Sequence, residues 1–225
     1  MKKLTGFVTM IAVLIFSMSA IAQTKTTKTV APTEGTKIIS TMGGAIVPLN
    51  TRMLDLGTGF PSAIFVRYHI PIAKKFEVAP FFTFDYGYDT VIAVGNILGL
   101  QLKYSLYNSP KFKLSLAAEP GLRLAYYPGG FGLGIQLGLP EVLMTIPIDQ
   151  KFAIDAGFKI PIAFLAYPGF LVSIPILFNT GIEYNLMRRM NLIFNIDLGP
   201  DILARGGFSL VRFRADVLLG ISYRF

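Results

Sequence analysis

The chain of 225 residues contains no cysteine, no tryptophan and a single histidine. Without cysteine, neither a disulfide framework nor thiolate chemistry is available. His69 has no serine or aspartate placed nearby as in a nucleophile–base pair, and the scattered acidic residues lack metal-ligand spacing. We therefore predict no catalytic, cofactor-binding or metal-binding residues, and we interpret His69 as a structural hydrogen-bonding group.

Long apolar runs that could form a helix are also scarce, although 52% of the residues are hydrophobic and the mean hydropathy is +0.55. Outside the first 22 residues, the one long uncharged run covers residues 160–182. It carries Pro161, Pro168 and Pro175, and each proline would interrupt a helical hydrogen-bond ladder. The sequence AYPG at its centre predicts a turn between two strands instead.

The first 22 residues have the features of a secretory signal peptide. Lys2 and Lys3 precede the apolar stretch LTGFVTMIAVLIFSMSA, and the small residues AIA at 20–22 form a cleavage signal. The alternative, a membrane-anchoring helix, is disfavoured because the stretch is short and polar QTKTTKT follows it. We predict a mature chain that begins at Gln23, with a flexible tether over residues 23–35 and one domain over residues 36–225.

Alternation of apolar and polar residues with a period of two is the strongest signal in the domain. In FEVAPFFTFDYGY (76–88) every even position is apolar, whereas the odd positions include Glu77, Thr83 and Asp85. The same pattern covers residues 60–71, 96–107, 112–126, 152–163, 170–185, 190–202 and 211–225. Segment 131–148 changes phase, which predicts a bulge near Pro140, and segment 37–48 has an ambiguous phase. These segments give ten candidate strands, with eight or twelve as alternatives.

Charged residues fall on the small and polar face of these strands, and none lies on the apolar face of the nine well-phased segments. In a soluble β-sandwich the apolar face would form the core. In a membrane barrel the apolar face contacts lipid and the polar face lines the lumen. Aromatic residues near the strand ends favour the barrel, because their rings prefer the level of the lipid headgroups. We predict an all-β protein, a transmembrane antiparallel up-and-down barrel of about ten strands.

The last strand, ADVLLGISYRF, resembles the C-terminal signature of bacterial outer-membrane β-barrel proteins. The residues that carry the resemblance are Val217, Leu219, Ile221, Tyr223 and Phe225. The resemblance implies an integral position in the outer membrane, contact with outer-membrane lipids, and recognition of this strand by the barrel-assembly machinery. An even number of strands places both termini in the periplasm.

The excess of basic residues lies mostly in the predicted periplasmic turns and in the tether. Lys plus Arg number 21 against 13 Asp plus Glu, and removal of Lys2 and Lys3 leaves 19 minus 13, or +6. The turns are 73–75, 108–111, 149–151 and 186–190. This distribution forms no nucleic-acid footprint, so we predict no nucleic-acid partner and basic turns that lie near lipid headgroups. We also predict that the protein is a monomer.

The predicted lumen carries nearly balanced charge, nine acids against eight bases. Buried charges of opposite sign must pair, so we predict that an ion-pair network fills much of the tube. Glu119 and Arg123 lie two lumen positions apart on one strand, and Arg212, Arg214 and Asp216 follow one another on another strand. The network comprises Arg67, Glu77, Asp85, Lys103, Glu119, Arg123, Glu141, Asp155, Lys159, Glu183, Asp197, Arg212, Arg214 and Asp216.

These features predict a small non-enzymatic outer-membrane barrel, either structural or a narrow pore. The outward loops, 49–59, 88–95, 127–130, 164–169 and 203–210, are short, which disfavours adhesin, receptor or protease functions. The alternative is a barrel that handles lipids or other hydrophobic molecules through a lateral opening. Pro120 and Pro140 suggest the position of such a seam, because each removes a backbone donor in mid-strand of one hairpin.

Overall fold

The computed structural model describes residues 40–86, 94–127, 130–166 and 170–225, and fourteen antiparallel strands lie in this part of the chain. Within these ranges, no helix has the length and apolar character needed to cross a membrane. The strands are β1 (Met53–Phe60), β2 (Ser62–Ala73), β3 (Phe76–Tyr86), β4 (Val94–Asn108), β5 (Lys113–Ala118), β6 (Gly121–Tyr127), β7 (Gly130–Gly138), β8 (Glu141–Pro147), β9 (Phe152–Lys159), β10 (Pro161–Leu165), β11 (Leu171–Pro175), β12 (Leu177–Met187), β13 (Met190–Arg205) and β14 (Phe208–Arg224).

The sheet closes on itself, because β1 pairs with β2 on one side and with β14 on the other. Four pairs of consecutive strands lie end to end and each forms one crossing: β5 with β6, β7 with β8, β9 with β10, and β11 with β12. Each crossing is adjacent to its neighbours in the chain. The described residues therefore form a closed ten-stranded antiparallel up-and-down barrel, which confirms the predicted fold class.

The first strand differs from the prediction. Residues 40–48 of the predicted segment 37–48 form no strand, and residues 37–39 lie outside the described part of the chain. Residues 53–59, predicted as part of an outward loop, belong with Phe60 to β1 instead. Leu56 and Phe60 face outward while Asp55 faces inward, so the alternation is present in β1. Met53 faces inward and Thr58 faces outward, and these two exceptions weakened its signal.

Prolines mark the four places where a crossing divides into two strands. Pro120, Pro140, Pro161 and Pro175 each lie at or directly beside a break, because proline has no N–H for the ladder. Gly121 pairs with Gln136 and Ala117 pairs with Glu141, so residues 118–120 oppose the four residues 137–140. This extra residue is a β-bulge and confirms the predicted change of phase near Pro140.

The two faces of the wall differ in polarity. Large apolar side chains point outward, whereas most of the buried side chains are polar or charged. We call the end of the barrel that carries Met53 and Phe225 the terminal end, and the other end the opposite end. Aromatic contacts concentrate at these ends, with Tyr68–Phe225, Tyr223–Phe225 and Tyr107–Phe112 at the terminal end, and Phe60–Tyr86, Tyr126–Phe131 and Phe164–Phe170 at the opposite end.

The wall is lower beside β1 than beside β14. Phe60, the last residue of β1, pairs with Val217, and Pro61 then turns the chain into β2. Residues 208–216 of β14 continue beyond this point toward the opposite end and pair with β13 alone.

Candidate functional site: the plugged lumen

Residues 40–47, which we call the plug, lie inside the terminal half of the barrel. They form neither strand nor helix, yet all of them except Ile46 are buried. Their hydrogen-bond partners come from β3, β4, β5, β8, β9 and β12, and each partner lies within six residues of the terminal end of its strand. Because these strands surround the interior, the plug lies within the lumen at this level.

Lys103 is the main donor to the plug. Its ammonium nitrogen lies 2.9 Å from the carbonyl oxygen of Thr41, 3.3 Å from that of Gly43 and 3.2 Å from that of Ala45. Lys103 is fully buried on β4, and an ammonium group has three protons to donate. One side chain therefore satisfies three carbonyl groups that have no partner in a strand ladder.

Carboxylates on two facing strands accept the N–H groups of the plug. Glu183 Oε1 accepts hydrogen bonds from the backbone N–H of Thr41 at 2.8 Å and of Met42 at 2.9 Å. On β3, Glu77 Oε2 accepts one from the N–H of Val47 at 2.7 Å. Ser40 Oγ lies 2.9 Å from both Glu183 and Asp155, so the plug begins between two wall carboxylates.

A buried histidine cluster supports the plug from the wall. His69 Nδ1 lies 2.7 Å from Glu77 Oε1, and His69 Nε2 lies 2.8 Å from Asp55 Oδ2. Lys103 Nζ lies 3.6 Å from the same Glu77 oxygen. All four side chains are completely buried. Asp55 was missed from the sequence because residues 49–59 were predicted to be a loop.

Two glycines allow the plug to fit between the strands. A Cβ atom at Gly44 would lie 2.7 Å from the carbonyl oxygen of Lys113, and one at Gly43 would lie 2.7 Å from Cγ of Asp155. Ser115 Oγ donates to the carbonyl oxygen of Gly44 at 2.7 Å. The plug therefore passes too close to the wall for a side chain at either position.

Beyond the plug, ion pairs occupy the middle of the lumen. Glu119 Oε1 accepts a hydrogen bond from Arg67 Nη2 at 2.6 Å and one from Gln101 Nε2 at 2.7 Å. The guanidinium of Arg67 also lies 5.0 Å from the ring centre of Phe65 and 5.3 Å from that of Phe81. The structure thus joins Glu119 to Arg67 on another strand rather than to Arg123, the partner suggested by their spacing along one strand.

Three further ion pairs lie on the β9, β13 and β14 side. Their nitrogen–oxygen distances are 3.1 Å for Lys159–Asp197, 2.9 Å for Arg212–Asp201 and 2.7 Å for Arg214–Asp216. Asp197 also accepts a short hydrogen bond from Asn179. Of the other predicted lumen charges, Asp85 accepts a hydrogen bond from Ser62 at 2.6 Å, and Arg123 and Glu141 are buried. No three His, Asp or Glu side chains of the described residues are arranged to hold a metal ion.

Pro120 lies at the break between β5 and β6, and Pro140 lies at the break between β7 and β8 in the adjacent crossing. The strands remain close there, since a Cβ atom at Gly138 would lie 2.6 Å from Cα of Glu119. On the outer face, a groove of about 460 Å³ follows this interruption. Its lining is mainly apolar and comprises Leu98, Gly99, Leu100, Pro120, Gly121, Leu122, Ile135, Gln136 and Leu137.

The residues of the C-terminal signature lie on β14, which joins β1 to β13. Val217, Leu219, Ile221 and Tyr223 pair with both neighbouring strands. Phe225 N donates to the carbonyl oxygen of Arg52 at 3.0 Å, and its ring contacts Tyr68 and Tyr223. These residues thus form the seam that closes the barrel.

Replacement of Lys103 by Met should destabilise the barrel. The change leaves three buried carbonyl groups and the Glu77 carboxylate without their donor, which costs about 3–5 kcal/mol in the free energy of unfolding. This loss is measured by urea unfolding, with the unfolded fraction detected by its susceptibility to trypsin or by gel migration. Lys75→Met, at an exposed turn, is the matched control and should change stability by less than about 0.5 kcal/mol. Equal stability of the two variants would contradict the assigned role of Lys103.

No family model matches the chain, and no curated protein matches it. Among solved structures, it is similar to the outer membrane protease OmpT from Escherichia coli, with 8% identity, a TM-score of 0.43, and coverage of 78% of this chain and 93% of that one. It is also similar to OmpT, an outer membrane protein of Vibrio cholerae (11% identity, TM-score 0.38, coverage 80% and 63%). The N-terminal β-barrel domain of Pseudomonas aeruginosa OprF gives 13% identity, a TM-score of 0.33 and coverage of 78% and 96%.

Proposed function

We propose that this protein is a non-enzymatic integral outer-membrane β-barrel whose lumen is closed by its own plug. The observation that carries the proposal is the burial of residues 40–47 among the wall side chains of the terminal half. Its partners are outer-membrane lipids and, during insertion, the barrel-assembly machinery, and it functions as a monomer. We place the terminal end in the periplasm.

The outer surface of the barrel supports a position in lipid. Large apolar side chains are exposed around the wall, for example Leu98 at 60%, Leu133 at 51% and Phe178 at 66%. Such a surface is unfavourable in water. Aromatic pairs lie at both ends, as expected for the two membrane–water boundaries. The choice of the outer membrane rests on the resemblance of the last strand to outer-membrane barrels and on the signal-peptide pattern of residues 1–22.

The basic turns support the proposed orientation. Lys74, Lys75, Lys151, Arg188 and Arg189 lie in turns at the terminal end and are exposed. Cationic side chains near a membrane surface are attracted to anionic lipid headgroups. The terminal end would therefore contact the phospholipid headgroups of the inner leaflet.

The absence of catalysis is proposed because the histidine cluster is inaccessible. His69, Asp55 and Glu77 are completely buried beneath the plug. A general base must come within hydrogen-bond distance of a substrate group, and the wall and the plug surround His69. The cluster instead holds the plug.

Replacement of Leu98 by Arg should destabilise the barrel in a bilayer. Leu98 lies midway between Tyr104 at the terminal end and Val94, which pairs with Tyr86 and Tyr126 at the opposite end. An arginine facing lipid near the midplane costs about 2–4 kcal/mol, measured by urea titration of the protein folded into phospholipid vesicles. Leu49→Arg, also at an exposed leucine but outside the strands, should be close to neutral. Equal effects of both variants would argue against the membrane position.

Displacement of the plug should open the lumen. Gly44→Phe places a ring where the wall backbone lies within van der Waals distance, so the plug can no longer occupy its site. In planar bilayers we expect conductance well below that of a general porin for the unmodified protein, and a clear rise for Gly44→Phe. Asn50→Phe, at an exposed position just after the plug, is the control and should conduct like the unmodified protein. A large steady conductance before any substitution would refute the closed lumen.

Lipid handling is the second candidate function, and the groove beside Pro120 favours it. The groove lies on the outer face where β5–β6 and β7–β8 are interrupted, and six of its lining residues are Leu, Ile or Pro. An acyl chain matches this surface in shape and polarity. The close approach of Gly138 to Glu119 means that a lipid could pass into the wall only if these strands separated.

The double substitution Pro120→Ala and Pro140→Ala tests this candidate. Alanine returns a backbone N–H at each position, which permits further pairing and narrows the groove. If the groove holds lipid, the lipid retained per barrel after purification, measured by native mass spectrometry, should fall. Pro80→Ala with Pro200→Ala, in strands without a break, is the control. Unchanged lipid content in the first variant would eliminate the seam as a lipid site.

A further inference from the structure

Asp155 on β9 and Glu183 on β12 lie side by side where the plug begins, because their strands are neighbours in the sheet. Both side chains are completely buried. Ser40 Oγ lies 2.9 Å from Asp155 Oδ1 and 2.9 Å from Glu183 Oε1. The same Glu183 oxygen accepts hydrogen bonds from the N–H groups of Thr41 and Met42. The first three residues of the plug are therefore held by this pair of carboxyl groups.

The contacts around Ser40 require more protons than the hydroxyl groups supply. Thr145 Oγ1 donates to Asp155 Oδ1 at 2.6 Å, which uses the threonine proton. Ser40 has one hydroxyl proton, yet its oxygen lies at hydrogen-bond distance from two carboxyl groups. One of these two contacts is a hydrogen bond only if the carboxyl group carries a proton and donates it to Ser40.

The contact between the two carboxyl groups also requires a proton. Asp155 and Glu183 are hydrogen-bonded to each other, and such a bond exists only when one of the two groups is protonated. Asp155 Oδ2 and Glu183 Oε2 are buried and accept no hydrogen bond from an N–H or hydroxyl group of the described residues. Within the described ranges, neither group forms an ion pair with a basic side chain. Two adjacent buried carboxylates without a counter-ion would repel each other strongly.

Charged and titratable groups on other strands surround this part of the lumen. Lys103 acts electrostatically on Asp155, and Asp55 acts on Glu183 with the same sign of charge as the pair. The ammonium protons of Lys103 are donated to carbonyl oxygens of the plug. The other titratable side chains on the surrounding strands are His69, Glu77, Lys113 and Arg224. Lys103 thus holds the plug separately from the pair, and a test has to distinguish the two.

We propose that Asp155 and Glu183 share one proton and that this proton makes the pair a pH-sensitive latch for the plug, a role that rests on the closed lumen proposed above. The β9–β12 ladder fixes the two strands in register, so water can solvate both carboxylates only if residues 40–42 leave. The state with the plug in place then holds one more proton than the state without it. Because the state that binds more protons is disfavoured as the pH rises, alkaline pH releases the start of the plug.

Infrared spectroscopy on the full chain in detergent micelles tests the shared proton without the use of conductance. At about pH 6, above the range in which carboxyl groups ordinarily titrate, the unmodified protein should show the C=O stretch of a protonated carboxyl group that Glu183→Gln lacks. The amide of this variant still offers an oxygen acceptor to the plug and an N–H donor to Asp155. The band should disappear as the pH is raised to about 10. Identical carboxyl bands in the two proteins, or a band that persists, would overturn the proposal.

Conductance in planar bilayers tests whether the proton holds the plug. Linkage to one proton lets the open fraction rise by up to about tenfold per pH unit, so the conductance of the unmodified protein should rise severalfold over the same pH range. Glu183→Gln should keep a low conductance throughout. Asp201→Asn, at a buried lumen carboxylate that pairs with Arg212, is the control and should respond like the unmodified protein. An equal rise in Glu183→Gln would assign the response to another group, such as Lys103, and refute the latch.

The two measurements separate this inference from the closed lumen itself. A large conductance of the unmodified protein at every pH would refute the closed lumen, whereas the infrared band would still show whether the proton is shared. A low conductance that does not change with pH would agree with the closed lumen and refute the latch. If Glu183→Gln fails to fold, Asp155→Asn removes the charge from the other member of the pair and should give the same two results.

Discussion

A buried backbone without a strand ladder is the constraint on which the terminal half of this barrel depends. Every N–H and C=O group of a buried segment needs a partner, and residues 40–47 have no neighbouring strand to supply one. Wall side chains supply the partners instead, with Lys103 as donor and Glu77 and Glu183 as acceptors. Charged groups can be completely buried here because each of them replaces hydrogen bonds that a sheet would otherwise provide.

The opposite half of the lumen follows a different rule. There the wall side chains satisfy one another, as in Arg67–Glu119 and Arg214–Asp216, and no segment of the described chain is inserted between them. A cavity of about 130 Å³, lined in part by these paired side chains and by Glu141, remains in this half. The same lumen is thus filled by inserted backbone in its terminal half and by paired wall side chains in its opposite half.

Nine of the ten crossings could be predicted from the sequence, because alternation is a local pattern that the barrel geometry requires of each strand. The exception is β1, most of which was predicted to be a loop. The bulge near Pro140 could also be predicted, because the change of phase that marks it is visible in the sequence around this proline. The plug could not be predicted, because its partners are single side chains on several strands and STMGGAIV resembles a weak strand. Ion pairs between residues of different strands could not be predicted either. Glu119 is nearest to Arg123 along its strand, but Arg67 reaches it from β2. The room that a lumen glycine provides could not be predicted either, for example at Gly99, where a side chain would collide with the ring of Phe81.

The four interrupted crossings are neighbours around the barrel, and the other six crossings are continuous. Because a strand break removes ladder hydrogen bonds, we expect the arc with the four interrupted crossings to be more compliant than the arc with the six continuous ones. Lateral pressure from a membrane would then flatten the cross-section along a single direction. Glu119 and Glu141 lie at the breaks of the compliant arc, whereas Glu77 and Lys103 lie on the stiff arc. Mechanical deformation would therefore change the shape of the cavity first and leave these two anchors of the plug in place.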